Sequence, residues 1–191
     1  MIVFATNNAH KLAEVRQIVG SAIDIKSLAD IGCHDDIPET GSTLEENAAI
    51  KARYISERYS MDCFADDTGL EVDALGGTPG VYSARYAGEN HDSAANTKKL
   101  LRELNGKTNR SARFRTVIAL SRKGKLNYVE GKVEGTIATE PHGTEGFGYD
   151  PVFIPEEADG RSFAEMTPEE KNAINHRGRA MKEFLKLLDI K

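Results

Sequence analysis

Tryptophan is absent from this chain, and Cys33 and Cys63 are the only thiols among its 191 residues. Two cysteines cannot build the framework of a small disulfide-stapled secreted domain, so reduced thiols are expected. Also missing is any apolar stretch of the roughly 20 residues that a membrane helix needs. The first residues, Met1-Ile2-Val3-Phe4-Ala5-Thr6, enter a strand-like run without the basic segment of a signal peptide. Together these absences predict a cytoplasmic protein with no membrane partner. Positive charge is in deficit: 25 Lys and Arg against 30 Asp and Glu give a net charge of −5. That balance argues against broad, salt-driven binding to nucleic acid, while leaving room for a small anion in a local basic pocket. Repeats and low-complexity tracts are lacking too. Cys33-His34-Asp35-Asp36 has no second ligand pair at metal-site spacing and reads as a solvated loop.

What is present is one sizeable core's worth of alternating elements. Residues 2–5 read as a buried strand. From Asn8 to Val19, Leu12, Val15, Ile18 and Val19 recur at helical spacing, and Gly20 supplies a stop. Ser42 and Thr43 precede Glu45 and Glu46, two overlapping capping boxes for a helix to about Tyr59. A strand at 62–66, a helix at 92–104 and a long hairpin of 112–120 with 125–137 around Lys123-Gly124 follow. A short strand is expected at 151–154. Thr167-Pro168-Glu169-Glu170 opens the last helical region, and Asn175 is a natural cap at which a new helix would begin. Without a strict βαβ rhythm, the fold class is α/β with a long, twisted mixed sheet flanked by helices.

Chemistry concentrates in five places. Cys63-Phe64-Ala65-Asp66-Asp67-Thr68-Gly69 is an apolar run ending in two adjacent carboxylates. Strand alternation sends the two to opposite faces, so they cannot share a role. On these residues alone, a turn before Gly69 and a site for a cation or an activated water are equally good readings. Thr6-Asn7-Asn8-Ala9-His10-Lys11 sits at a helix start, where free N–H groups attract phosphate; taken alone, simple capping with an exposed Lys11 is the better reading. No Walker loop is present. On the second helix, Asn47 and Lys51 fall on the apolar stripe of Leu44, Ala48 and Ile55. A lysine there needs a carboxylate or a phosphate, and Glu39 lies just upstream. In Glu145-Gly146-Phe147-Gly148-Tyr149-Asp150-Pro151, glycines flank an aromatic suited to stacking on a base, although a tight turn with core aromatics fits equally well. His176 and Arg177 would occupy a first helical turn, where cations oppose the helix dipole, which points to an anionic ligand nearby.

Taken in order, these segments resemble the inosine triphosphate pyrophosphatase family. The likeness extends through Glu39-Thr40-Gly41, Lys51-Ala52-Arg53, Gly76-Gly77-Thr78-Pro79-Gly80-Val81-Tyr82-Ser83-Ala84-Arg85-Tyr86 and Glu170-Lys171-Asn172, and spans nearly the whole chain. One departure is Asn175-His176-Arg177, where the family usually has Ser-His-Arg. The resemblance implies a single pyrophosphatase domain over residues 1–191, two-lobed and elongated, with a nucleotide cleft between the lobes, and usually a homodimer. It implies Mg²⁺-dependent hydrolysis of ITP, dITP and XTP to the monophosphate and pyrophosphate, with a purine nucleoside triphosphate as the partner and no nucleic acid. By the same resemblance Asp67 is the general base and a metal-site residue, with Glu39 as the second metal carboxylate. Thr6, Asn8, Lys11 and Lys51 hold the triphosphate, and Asn7, Thr68 and Gly148 are further substrate-binding positions. Phe147 stacks on the base, Tyr149 lines the pocket, and Asp150, Lys171, His176 and Arg177 read the base edge. The competing expectations are a Maf-like pyrophosphatase of pyrimidine or modified nucleotides, and a nucleotide-binding module without turnover.

Overall fold

Alternation along the strands decides where everything else packs. The computed structural model describes residues 1–190, and among them are seven strands and five α-helices. In chain order these are β1 (Ile2–Phe4), α1 (Ala9–Val19), β2 (Ile25–Lys26), α2 (Leu44–Tyr59), β3 (Cys63–Val72) and β4 (Pro79–Gly80). Then come α3 (Ser93–Glu103), β5 (Ser111–Arg122), β6 (Lys125–Ile137), β7 (Phe153–Pro155), α4 (Pro168–Ile174) and α5 (His176–Leu187). The strands form one mixed sheet in the order β2-β1-β3-β5-β6-β7, with β4 paired to β3. β1 runs parallel to β2 and β3, while β4 and β7 pair antiparallel with β3 and β6.

The chain divides into two compact units. The first comprises residues 1–67, 116–131 and the chain from Arg177 onward; the second comprises 68–115 and 132–176. In the first unit, Val3, Ala5, Cys63, Ala65 and Ala119 share a core with Ala48, Ala52 and Ile55 of α2. Ile2, Phe4, Phe64, Ile118 and Leu120 point the other way, toward Val15 and Val19 of α1 and Ala180, Met181 and Phe184 of α5. Period-two side chains thus put α2 on one face and α1 with α5 on the other. In the second unit, Leu70, Val72, Leu100, Leu104, Phe114, Val133, Phe153 and Phe163 share a separate core.

The caps follow their sequence signals. Asn8 accepts from the amides of His10 and Lys11, Thr43 from that of Glu46, and Thr167 and Glu170 form a reciprocal capping box. The hairpin turn falls at Lys123 and Gly124, both at positive φ, as a tight two-residue loop requires. The helical region breaks at Asn175, whose backbone is extended.

Two expectations are corrected, and one element was not foreseen. No turn separates Asp67 from Gly69: β3 continues to Val72, because its downstream half finds a partner in β4 (Leu70 with Gly80, Glu71 with Pro79). The strand expected at 151–154 starts later. Asp150–Val152 is a 3-10 turn with Pro151, which lacks an N–H, at its start, and pairing with β6 begins at Phe153. β2 was not read at all, since two residues carry no measurable period.

Candidate active site

The faces of β3 carry the chemistry. Asp67 follows Cys63 and Ala65 onto the α2 face, where Asn47 Nδ2 donates to its Oδ2 at 3.0 Å and Lys51 Nζ lies 4.0 Å from its Oδ1. Asn47 is held from its other end, its Oδ1 accepting from the Gly41 amide at 2.8 Å. Glu39 also reaches Lys51, at 2.5 Å. The lysine predicted to point inward is indeed buried, and two carboxylates converge on it. Burial raises the pKa of Asp67 above the usual carboxylate value; Lys51 and Lys11 oppose the shift and Glu39 adds to it. For Lys51, burial disfavours the charged form, but Asp67, Glu39 and Asp66 outweigh it and the pKa is raised.

Asp66 takes the opposite face with Phe64. Lys11 Nζ donates to its Oδ1 at 3.1 Å and Arg177 Nε to its Oδ2 at 3.3 Å, while Arg177 Nη1 donates to Glu14. Burial would raise the Asp66 pKa, yet Lys11, Arg177 and Lys51 hold it well below the carboxylate range. Burial lowers the Lys11 pKa, with Asp66 opposing. Asp66 is the hub of a buried ion-pair cluster. Contrary to the expectation from the helix dipole, the charge of Arg177 does not by itself point to an anionic ligand, because Asp66 and Glu14 accept from it within the fold. Thr6, Asn7 and Asn8 sit in the loop before α1, with Asn7 and Asn8 exposed, and Thr6 Oγ1 accepts from the Asn8 amide.

The remaining expected residues gather in the second unit, beginning with half-buried Thr68. Asp150 is buried and accepts from the Phe147 amide and from Lys171 Nζ, both at 2.8 Å. The Lys171 ammonium sits 4.8 Å from the centroid of the Phe147 ring. Tyr149 donates its hydroxyl to the Ser83 carbonyl at 2.8 Å, and Gly148 turns the chain at a φ of +64°. His176 is buried, its ring stacked on Phe114 at 4.6 Å. Gly146 is required here: it has a φ of +76°, and a Cβ would come within 2.2 Å of Asp150 Oδ2. Gly146→Ala is expected to cost about 1–2 kcal/mol of stability from the left-handed backbone alone. It should also displace Asp150 from the Lys171 ammonium, and urea unfolding checks the loss of stability.

Glu14 and the detailed role of Asn47 escaped the sequence reading. The available signal was spacing: Glu14 follows Lys11 by three residues and so shares its side of α1. Among the described residues, no group of three or more His, Cys, Asp or Glu side chains is arranged to hold a metal. Glu39 and Asp67 both face Lys51, and as carboxylates they are oxygen donors of the kind that could hold a magnesium ion, which takes one or two protein carboxylates and completes its shell with water and phosphate.

A family model described as the Ham1 family matches residues 2–187. A protein of Christiangramia forsetii named dITP/XTP pyrophosphatase is 52% identical over 187 residues, covering 98% of each chain. One of the same name from Porphyromonas gingivalis is 54% identical over 184 residues, covering 96% of this chain and 94% of that one. The solved structure of the Staphylococcus aureus Ham1 protein matches with a TM-score of 0.89 at 39% identity, over 98% of this chain and 97% of that one. With the match running almost from end to end in sequence and in fold, this chain belongs to the Ham1 family.

Proposed function

We propose that this protein hydrolyses deaminated purine nucleoside triphosphates (ITP, dITP and XTP) to the monophosphate and pyrophosphate, acting as one pyrophosphatase domain. The observation that carries the reading is Asp67: a buried carboxylate with a raised pKa, oriented by Asn47 and set beside Lys51. Binding a triphosphate needs no such base; activating a water does. Asp67 takes a proton from water as its oxygen attacks the α-phosphorus, and the bond from that phosphorus to the bridging oxygen breaks, releasing pyrophosphate. Lys51 and Lys11 offset the negative charge that builds on the phosphates. Thr6, Asn7 and Asn8, at the open helix start, offer further donors to the triphosphate. Glu39 and Asp67 would hold a magnesium ion, which would supply charge neutralisation at the phosphates.

For the base, Phe147 offers a stacking face, Tyr149 and Gly148 a wall, and Lys171, His176 and Asp150 the polar edge. Hypoxanthine and xanthine carry an oxygen at C6, where adenine has an amino group. Donors that suit the oxygen confront the amino group with another donor, and each mispaired buried group costs about 1–3 kcal/mol. His176→Ala should therefore narrow the ITP-over-ATP ratio of kcat/KM about tenfold or more; an unchanged ratio would place base selection elsewhere. Arg177 supports the site through Asp66, to which its Nε donates.

The deciding experiment is a panel of ITP, dITP, XTP, ATP, GTP, dUTP and dTTP with magnesium and pyrophosphate detection. Preference for the first three is expected. A pyrimidine preference would favour the Maf-like reading, and saturable binding without pyrophosphate release a binding module. The family resemblance also supports a cytoplasmic homodimer, which light scattering would show as twice the 20.9 kDa chain mass. No helix among the described residues is long and apolar enough to cross a membrane.

A further inference from the structure

On the face of β3 away from Asp67, four charged side chains meet: Lys11 and Glu14 from α1, Asp66 from β3 and Arg177 from α5. Arg177 and Asp66 are each only 2% exposed at the side chain, Glu14 14% and Lys11 15%. The contacts are divided with some care. Asp66 accepts from Lys11 at Oδ1 and from Arg177 at Oδ2, and Arg177 Nη1 donates to Glu14. A guanidinium facing a single carboxylate favours the two-pronged arrangement that engages both oxygens. Glu14, by taking Nη1, draws Arg177 to one side and leaves Oδ1 of Asp66 for the lysine.

We propose that Glu14 is a positioning residue for nucleotide binding: acting through Arg177, it keeps one oxygen of Asp66 reserved for Lys11 and so fixes where the Lys11 ammonium meets the triphosphate. This rests on the assignment of Lys11 to the triphosphate under the proposed function. Remove the Glu14 charge, and Arg177 and Lys11 compete for one carboxylate that the guanidinium holds better. Lys11, seated beside a carboxylate it no longer shares evenly, then loses its fixed position. Position, rather than the total charge near the phosphates, is what Glu14 controls.

Inorganic tripolyphosphate isolates this effect, because it carries the phosphates without a base. Its affinity is to be measured by calorimetry on the full-length chain as wild type, Glu14→Gln, Lys11→Met and the double variant, with thermal melts and ITP kinetics alongside. Glu14→Gln is expected to weaken tripolyphosphate about five- to tenfold and to raise the ITP KM by a similar factor, with kcat within about twofold. In the Lys11→Met background the same change should have no further effect. Glu14→Asp, which keeps the charge on a shorter arm, should fall between wild type and Glu14→Gln and serves if the glutamine variant does not fold. Additive losses in the double variant, or unchanged tripolyphosphate affinity in an enzyme that still hydrolyses ITP, would overturn the proposal. A loss seen with ITP but not with tripolyphosphate overturns it as well, since Glu14 would then act on the base. A wild-type protein inactive on every triphosphate sinks the functional assignment instead.

Discussion

Asp67→Asn should lower the rate of ITP hydrolysis by about a hundred- to ten-thousandfold while leaving ITP affinity within a few-fold. The amide has the size and shape of the carboxylate, so its oxygen still accepts from Asn47 and Lys51 keeps Glu39. Only the ability to take a proton from water disappears. The energetics of folding give a second, opposite readout. A carboxylate whose pKa is raised by folding contributes most at low pH, and that contribution is lost as the pH rises through its folded pKa. At neutral pH the ionised Asp67 therefore opposes folding, and the variant should melt no lower than wild type. A dead enzyme that is equally or more stable would mark Asp67 as a residue kept for chemistry. Near-normal turnover in the variant would remove the base assignment altogether.

Arg177→Met should have the largest effect on stability, about 3–5 kcal/mol, because it takes a buried cation away from Asp66 and Glu14 instead of removing a balanced pair. For a chain of this length that corresponds to a melting temperature lower by roughly 10 °C. The loss should also depend on pH. The Asp66 pKa is held below its ordinary 3.8, so its stabilising contribution is present above that value and disappears as the pH falls through the folded pKa. The gap between wild type and variant should be full at neutral pH and narrow below about pH 4. A gap that stays constant into acid would mean that Arg177 contributes through packing alone.

Much of this was legible before any coordinates. Asn8, Thr43 and Thr167 announce helix starts because capping is a local exchange between a side chain and amides two or three residues on. Lys51 falls on the apolar stripe of α2 by the helical period, with Glu39 named as a neighbour; that Asp67 faces it as well is seen only in the structure. Alternation separated Asp66 from Asp67. The motif run also carried the family, since residues that bind one ligand keep their order along the chain. Less legible was whatever depended on a distant neighbour. The turn after Asp67 looked plausible because a carboxylate before Thr-Gly is good turn chemistry. β4, itself only two residues long, supplied the pairing that kept β3 extended.

Arg177 shows the division most clearly. The sequence alone established that it starts a helix after Asn175, on a segment whose apolar face must be buried, and that its charge there needs an anion. Which anion was beyond local pattern. Asp66 lies 111 positions away and Glu14 163, and they meet Arg177 only because α1 and α5 pack on the same face of the strand that carries Asp66. Periodicity tells each side chain which face it takes, because that follows from the geometry of its own backbone. What stands opposite is decided when separate elements are packed together, and for a buried charge that choice determines whether it awaits a ligand or is already answered within the fold.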